Sequence, residues 1–110
     1  MEAQVPVLTN EGVVKLLVYS KGTHLSAEKL DQIIETIRCE SGFVAQQSKV
    51  VNKGVREDSW GIAQIHLPSH PKVSREQAMD IDFATQFIVD KFTEGKEEWW
   101  SCWKTLYKRT

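Results

Sequence analysis

Leu30-Asp31-Gln32-Ile33-Ile34-Glu35-Thr36-Ile37-Arg38-Cys39-Glu40-Ser41-Gly42 is the stretch on which the reading of this chain turns. Leu30, Ile33, Ile34 and Ile37 recur at the i, i+3, i+4, i+7 spacing of one helical face. Ser26 stands where an N-cap belongs, with Leu25 and Leu30 placed as a hydrophobic staple, and Gly42 stands where a left-handed residue closes a helix. Glu40 continues the apolar face beyond Ile37, so a carboxyl group is expected on the core side of the last turn. Burial disfavours its ionised form there, and the negative end of the helix dipole repels it. Both effects push its pKa up. A carboxylic acid that keeps its proton near neutral pH is what protonation of a leaving sugar oxygen requires.

Working outward, residues 10–20 carry Val13, Val14, Leu16, Leu17 and Val18 after an Asn10 cap, which predicts a first helix buried nearly all round. Residues 44–56 lose periodicity and turn at Asn52 to Gly54, where a short hairpin fits. Trp60–Ile65 reads as a short helix with Asp58 or Ser59 at its start. His66 to Pro71 is a loop, set by Pro68 and Pro71. Ser74-Arg75-Glu76-Gln77 is a capping box, and a further helix starts near Asp80 or Asp82, carries Phe83, Ala84, Phe87, Ile88 and Phe92, and stops at Gly95. The tail from Glu97 to Tyr107 reads as one last helix, with Trp99 and Trp103 on the core face and Trp100 turned away. The expected architecture is a single mainly α domain over residues 1–110, with at most a short β-hairpin.

Composition narrows the function classes. The chain has 110 residues, 41% hydrophobic and 26% charged, which is ordinary for one globular domain. A formal net charge of −1 gives no basic field for nucleic acid. No apolar run approaches the roughly 20 residues of a membrane span. Met1 to Asn10 lacks a basic start followed by an apolar core, so no signal peptide is read there. Cys39 and Cys102 belong to no zinc-type ligand array; they pair as a disulfide tying the last helix to the Glu40 helix, or lie as two separate buried thiols. His66 and His70 flank Pro68, so they share no helical face, and no metal site is expected from them.

Glu40-Ser41-Gly42-Phe43 followed by Gly61-Ile62-Ala63-Gln64-Ile65 resembles the signature of the soluble lytic transglycosylases, relatives of goose-type lysozyme. The resemblance runs over nearly the whole chain and implies a lysozyme-like helical domain that cleaves the β-1,4 bond between N-acetylmuramic acid and N-acetylglucosamine in peptidoglycan. In that family the Glu of the Glu-Ser pair is the acid/base, which falls on Glu40, and the Ser, here Ser41, supports it by hydrogen bonding. Gly61 is then a place of close backbone approach, and Gln64 a carboxamide that holds sugar hydroxyl or N-acetyl groups. Trp60, His66 and Trp100 are candidate sugar contacts, Trp100 as an exposed stacking platform. The chain lacks the Ala-Tyr-Asn-x-Gly segment of many lytic transglycosylases, and Asp80 and Asp82 stand where an Asn often contacts substrate, which leaves the product open.

The leading expectation is a lytic transglycosylase, in which the muramic C6 hydroxyl attacks and a 1,6-anhydro sugar forms. A hydrolytic lysozyme using Asp58 as a second carboxylate is the alternative, and a catalytically silent glycan-binding module is the reading from another class. No cofactor or metal is called for by either reaction. The expected partner is a peptidoglycan strand met in the cell envelope or outside the cell by a monomer, as for a phage lysin or a domain of a larger envelope protein.

Overall fold

The structure is a computed structural model that describes residues 9–108. Most of the Met1 to Asn10 stretch read for a leader therefore lies outside the described residues. Helix α1 (Asn10–Lys21) is capped by Thr9, whose hydroxyl accepts from Gly12 N–H at 3.1 Å, rather than by Asn10. The Asn10 side chain instead donates to Phe43 O at 3.3 Å, tying the start of α1 to the exit of the next helix. Only one face of α1 is buried, through Val14 and Val18, and Leu16 and Tyr19 are exposed. The expected all-round burial fails because α1 packs chiefly on two neighbours, leaving its outer side to solvent.

Helix α2 (Ala27–Ser41) has the start and stop that its sequence encodes. Ser26 Oγ accepts from Lys29 N–H, and Gly42 closes the helix at φ +60°, its N–H donating to Arg38 O. Leu30, Ile33, Ile34 and Ile37 are buried with Val14 and Val18 of α1. Helix α4 (Ile81–Thr93) completes the core with Ala84, Ile88, Val89 and Phe92, under an Asp80 cap. Each such isoleucine, fully removed from water, contributes about 1.5–3 kcal/mol of transfer free energy. Between them, α3 (Arg75–Met79) opens with both halves of the Ser74/Gln77 capping box formed.

The β structure of the described residues is two antiparallel hairpins of two-residue strands and an isolated antiparallel bridge between Gln47 and Trp60. β1 (Val51–Asn52) pairs with β2 (Val55–Arg56) across the expected turn. β3 (Ser59–Trp60) pairs with β4 (Ile65–His66), where the sequence predicted a short helix. The helix does not form because Gly61 at φ +84° and Gln64 at φ +50° turn the chain back on itself, and Ser59 and Ile65 become strand residues of one ladder. The domain is mainly α, as expected.

The tail also breaks. A 3-10 turn at Glu97–Trp99 is followed by extended Trp100 (φ −100°, ψ 120°) and a short helix α5 (Ser101–Tyr107). Trp100 is only 5% exposed and its indole N–H donates to Ala63 O at 2.7 Å, so its ring is drawn into the core beside Phe92. A continuous helix would have turned it outward.

Gly61 is the tightest backbone contact in this frame. A Cβ there would sit 1.8 Å from Ala78 O of α3, on top of its positive φ. Gly61→Ala is expected to cost about 2–4 kcal/mol from strain and overpacking together. Urea unfolding of the variant checks this by a lowered midpoint at unchanged slope.

Candidate active site

Glu40 reaches the surface in the last turn of α2, on the side that α5 covers. Its Oε1 accepts from Cys102 N–H at 3.2 Å and Ser101 Oγ–H at 3.4 Å. Burial is the main influence on the carboxyl and raises its pKa above the ordinary 4.5. The two donors pull it down, and the charge of Glu57 pushes it up again. Burial is thus the first cause, as expected, but at a partly exposed position beside α5 and outside the core cluster.

The carboxyl faces a cleft of about 660 Å³ between α5, the 3-10 turn before it, α4 and the β3–β4 hairpin. A second lobe of about 200 Å³ lies toward residues 46–50. Glu40 and Gln64 line both lobes, so the two hollows flank one carboxyl. The larger lobe is bounded by Trp99, Phe87 and His70 at one end and carries Glu57, Ser59 and Lys104 beside Glu40.

Trp99 is 50% exposed. Its ring is fixed by His70 at 5.2 Å between centroids, by Lys96 Nζ at 4.9 Å and by Lys91 Nζ at 5.5 Å. His70 also meets Phe87 edge-on at 5.0 Å. Burial pushes the His70 pKa down, and the charges of Lys91, His66 and Lys96 act in the same direction.

The structure redistributes several predicted roles. Ser41 does not bond to Glu40; its hydroxyl donates to Ile62 O at 2.6 Å, with Ile37 O at 3.2 Å. Gly61 makes its close approach to the α3 backbone and not to the cleft. Gln64 does line the cleft, but its amide N–H groups go to Gln46 O and Gly61 O, leaving its Oε1 as the free polar atom. Trp60 lies outside both lobes, under the Arg75 guanidinium at 4.5 Å, and its indole N–H donates to Asp58 at 2.6 Å. Asp58 is thus an exposed partner of Trp60, neither a helix cap nor a member of the cleft. His66 lines the cleft as expected, its Nδ1 2.7 Å from Ser69 Oγ. Trp100 borders the cleft but is buried, and the exposed platform is Trp99.

The residue the sequence reading passed over is Glu57. Its carboxylate accepts from the Ser59 hydroxyl at 2.7 Å, and Ser59 is 1% exposed. Its backbone is pinned by Glu57 N–H to Val50 O at 2.8 Å and by Gln47 Nε2 to Glu57 O at 3.2 Å. The available signal was strand alternation: Glu57 and Ser59 point one way and Asp58 and Trp60 the other. Among the described residues, no group of three or more His, Cys, Asp or Glu side chains is placed to hold a metal ion, and no helix is long and apolar enough to cross a membrane.

Set against protein-family models, curated proteins and solved structures, the chain finds no match.

Because folding raises the Glu40 pKa, the folded protein binds more protons at this group than the unfolded chain. Stability then falls as pH rises from about 4.5 through the raised value. Glu40→Gln, which keeps the acceptor for Cys102 N–H, is expected to melt higher than the parent at neutral pH. The two melting curves should converge below about pH 4, where the carboxyl is protonated in both states.

Proposed function

We propose that this protein is a glycosidase of the lytic transglycosylase type, cutting the β-1,4 bond between N-acetylmuramic acid and N-acetylglucosamine in peptidoglycan strands of the cell envelope. The observation that carries the reading is the place of Glu40: a partly desolvated carboxyl between two hollows whose walls share Glu40 and Gln64. A polymer lying through both lobes presents an inter-sugar bond to that carboxyl, whereas a small molecule would fill one lobe. The sequence resemblance supplies the substrate class, and the groove is consistent with it.

Glu40 in its protonated form donates to the glycosidic oxygen as the C1–O bond breaks, and cationic character develops at C1 of the muramic residue. Its conjugate base then takes the proton of the attacking hydroxyl. When that hydroxyl is the muramic C6-OH, the product ends in a 1,6-anhydro ring and Glu40 is returned to its acid form. Cys102 N–H and Ser101 Oγ–H hold the carboxylate between the two steps. Neither step calls for a cofactor or metal.

One observation favours a second outcome. Glu57 shares the larger lobe with Glu40 and is oriented by Ser59. A second carboxylate so held can bind and deprotonate a water, which gives a reducing end instead. Glu57, and not Asp58, carries the hydrolytic alternative.

Mass spectrometry of fragments released from purified peptidoglycan tests the reading. Anhydro-muramic ends identify the transglycosylase, reducing ends the hydrolase, and no release on several peptidoglycan types overturns both. Glu40→Gln is expected to lower release by about a hundredfold to ten-thousandfold. Trp99→Ala is expected to raise the half-saturating glycan concentration roughly fivefold to tenfold with little change in turnover, as loss of a stacking platform implies. Steady-state rates on soluble glycan chains measure both.

A further inference from the structure

Helix α5 forms one wall of the groove, yet it is weakly anchored. It has seven residues and none of them is buried. A helix this short is marginal by itself in water. Among the described residues it is held by Trp103, which packs against the core, lies under Lys29 Nζ at 5.9 Å and donates its indole N–H to Gln32 Oε1 at 3.0 Å, by the two hydrogen bonds to Glu40, and by the Cys39–Cys102 disulfide. Cys39 is exposed on α2 next to Glu40, and Cys102 supplies the backbone N–H that Glu40 accepts. Trp100, immediately before α5, is independently fixed in the core through Ala63 O. The chain therefore has a rigid point at Trp100 and a lightly packed segment after it, joined to the Glu40 helix by one covalent bond.

We propose that the Cys39–Cys102 disulfide is a positioning element of the site, and that its reduction switches the protein off by releasing α5 from Glu40. This rests on the functional reading above. A thiolate of a small dithiol attacks one sulfur, the S–S bond breaks, and the second thiol of the reductant resolves the mixed disulfide. Two electrons and two protons pass to the protein, which then carries two thiols, and the reductant leaves as its own disulfide. In the reduced form Glu40 loses the Cys102 and Ser101 donors together with the cover of α5, and Lys104 leaves the wall of the larger lobe. Such a switch would keep the protein inactive in a reducing compartment and active in an oxidising one.

Loss of activity alone would also follow from general loosening, so the pH profile is the sharper readout. Glu40 shares its two lobes with Glu57, His66, His70, Lys104 and Lys49. Of the influences on it, burial is the largest and raises its pKa, while the two donors from α5 lower it. Releasing α5 removes both donors and part of the burial, so the alkaline limb of the rate profile should be displaced, where a merely structural role would scale the whole profile and leave its limbs in place.

The experiment compares the oxidised full chain with the same protein reduced by dithiothreitol, thiols counted, and with the Cys39→Ser/Cys102→Ser double variant. The expected result is a fall in fragment release of about a hundredfold, as for displaced catalytic groups, with the alkaline limb displaced and activity restored on reoxidation. Hydrogen exchange should show the amides of Lys104 and Lys108 losing protection on reduction while those of α2 and α4 keep theirs. Release within twofold of the oxidised rate by fully reduced protein overturns the proposal, as does unchanged protection of α5. If the oxidised protein releases nothing, the functional reading fails, and hydrogen exchange still decides whether the disulfide holds α5. If the double variant does not fold, the reversible reduction of the native chain gives the answer.

Discussion

The hydroxyl of Ser41 donating to Ile62 O at 2.6 Å joins the two halves of the molecule that matter for chemistry. On one side is the end of α2, closed by Gly42 in the left-handed conformation. On the other is the tight turn from Gly61 to Gln64, which is locked from behind by the contact of Gly61 with α3. Through this bond the carboxyl of Glu40 and the amide of Gln64 come to line the same groove. The junction adds to the burial of Ile62 and Ala63 in the core and to the Trp100–Ala63 bond, which hold the same turn.

Much of the frame was legible because it is written in local signals. The caps at Ser26, Gly42, Ser74 and Asp80 need only neighbours a few residues away, and the period of Leu30, Ile33, Ile34 and Ile37 needs only one helix. What the sequence did not disclose depends on distant partners. Trp99 and Trp100 differ in burial because Ala63 O is waiting for one indole, a contact across thirty-seven residues that no local pattern encodes. Asp58 and Glu57 are adjacent acids, and only the ladder of β3 with β4 decides which of them enters the cleft. Read as helical, that segment gave no sign that Glu57 and not Asp58 lines the cleft. The pairing of Cys39 with Cys102 is another such case, left open by spacing and made by the return of the tail across α2.

Glu40 and its surroundings show how a marginal end of a helix becomes a site. Burial and a nearby negative charge raise the carboxyl's pKa, and two donors from α5 restrain that rise while holding the group in one place. The aromatic end of the groove is organised separately, by cations stacked against Trp99 and by His70 between Trp99 and Phe87. Glu40 and Trp99 thus stand on different elements, α2 and the turn before α5, and that turn is tied to α2 by the Lys29–Glu97 ion pair at 3.0 Å.

Desolvation of its carboxyl beside α5 is expected to hold Glu40 as an acid. The most direct measurement is the titration of its side-chain carboxyl carbon by NMR in the oxidised protein, assigned by Glu40→Gln. A pKa above the ordinary glutamate value of 4.5 is the expected result. A carboxyl that titrates at or below that value would contradict it, since an ionised Glu40 has no proton to give the leaving sugar.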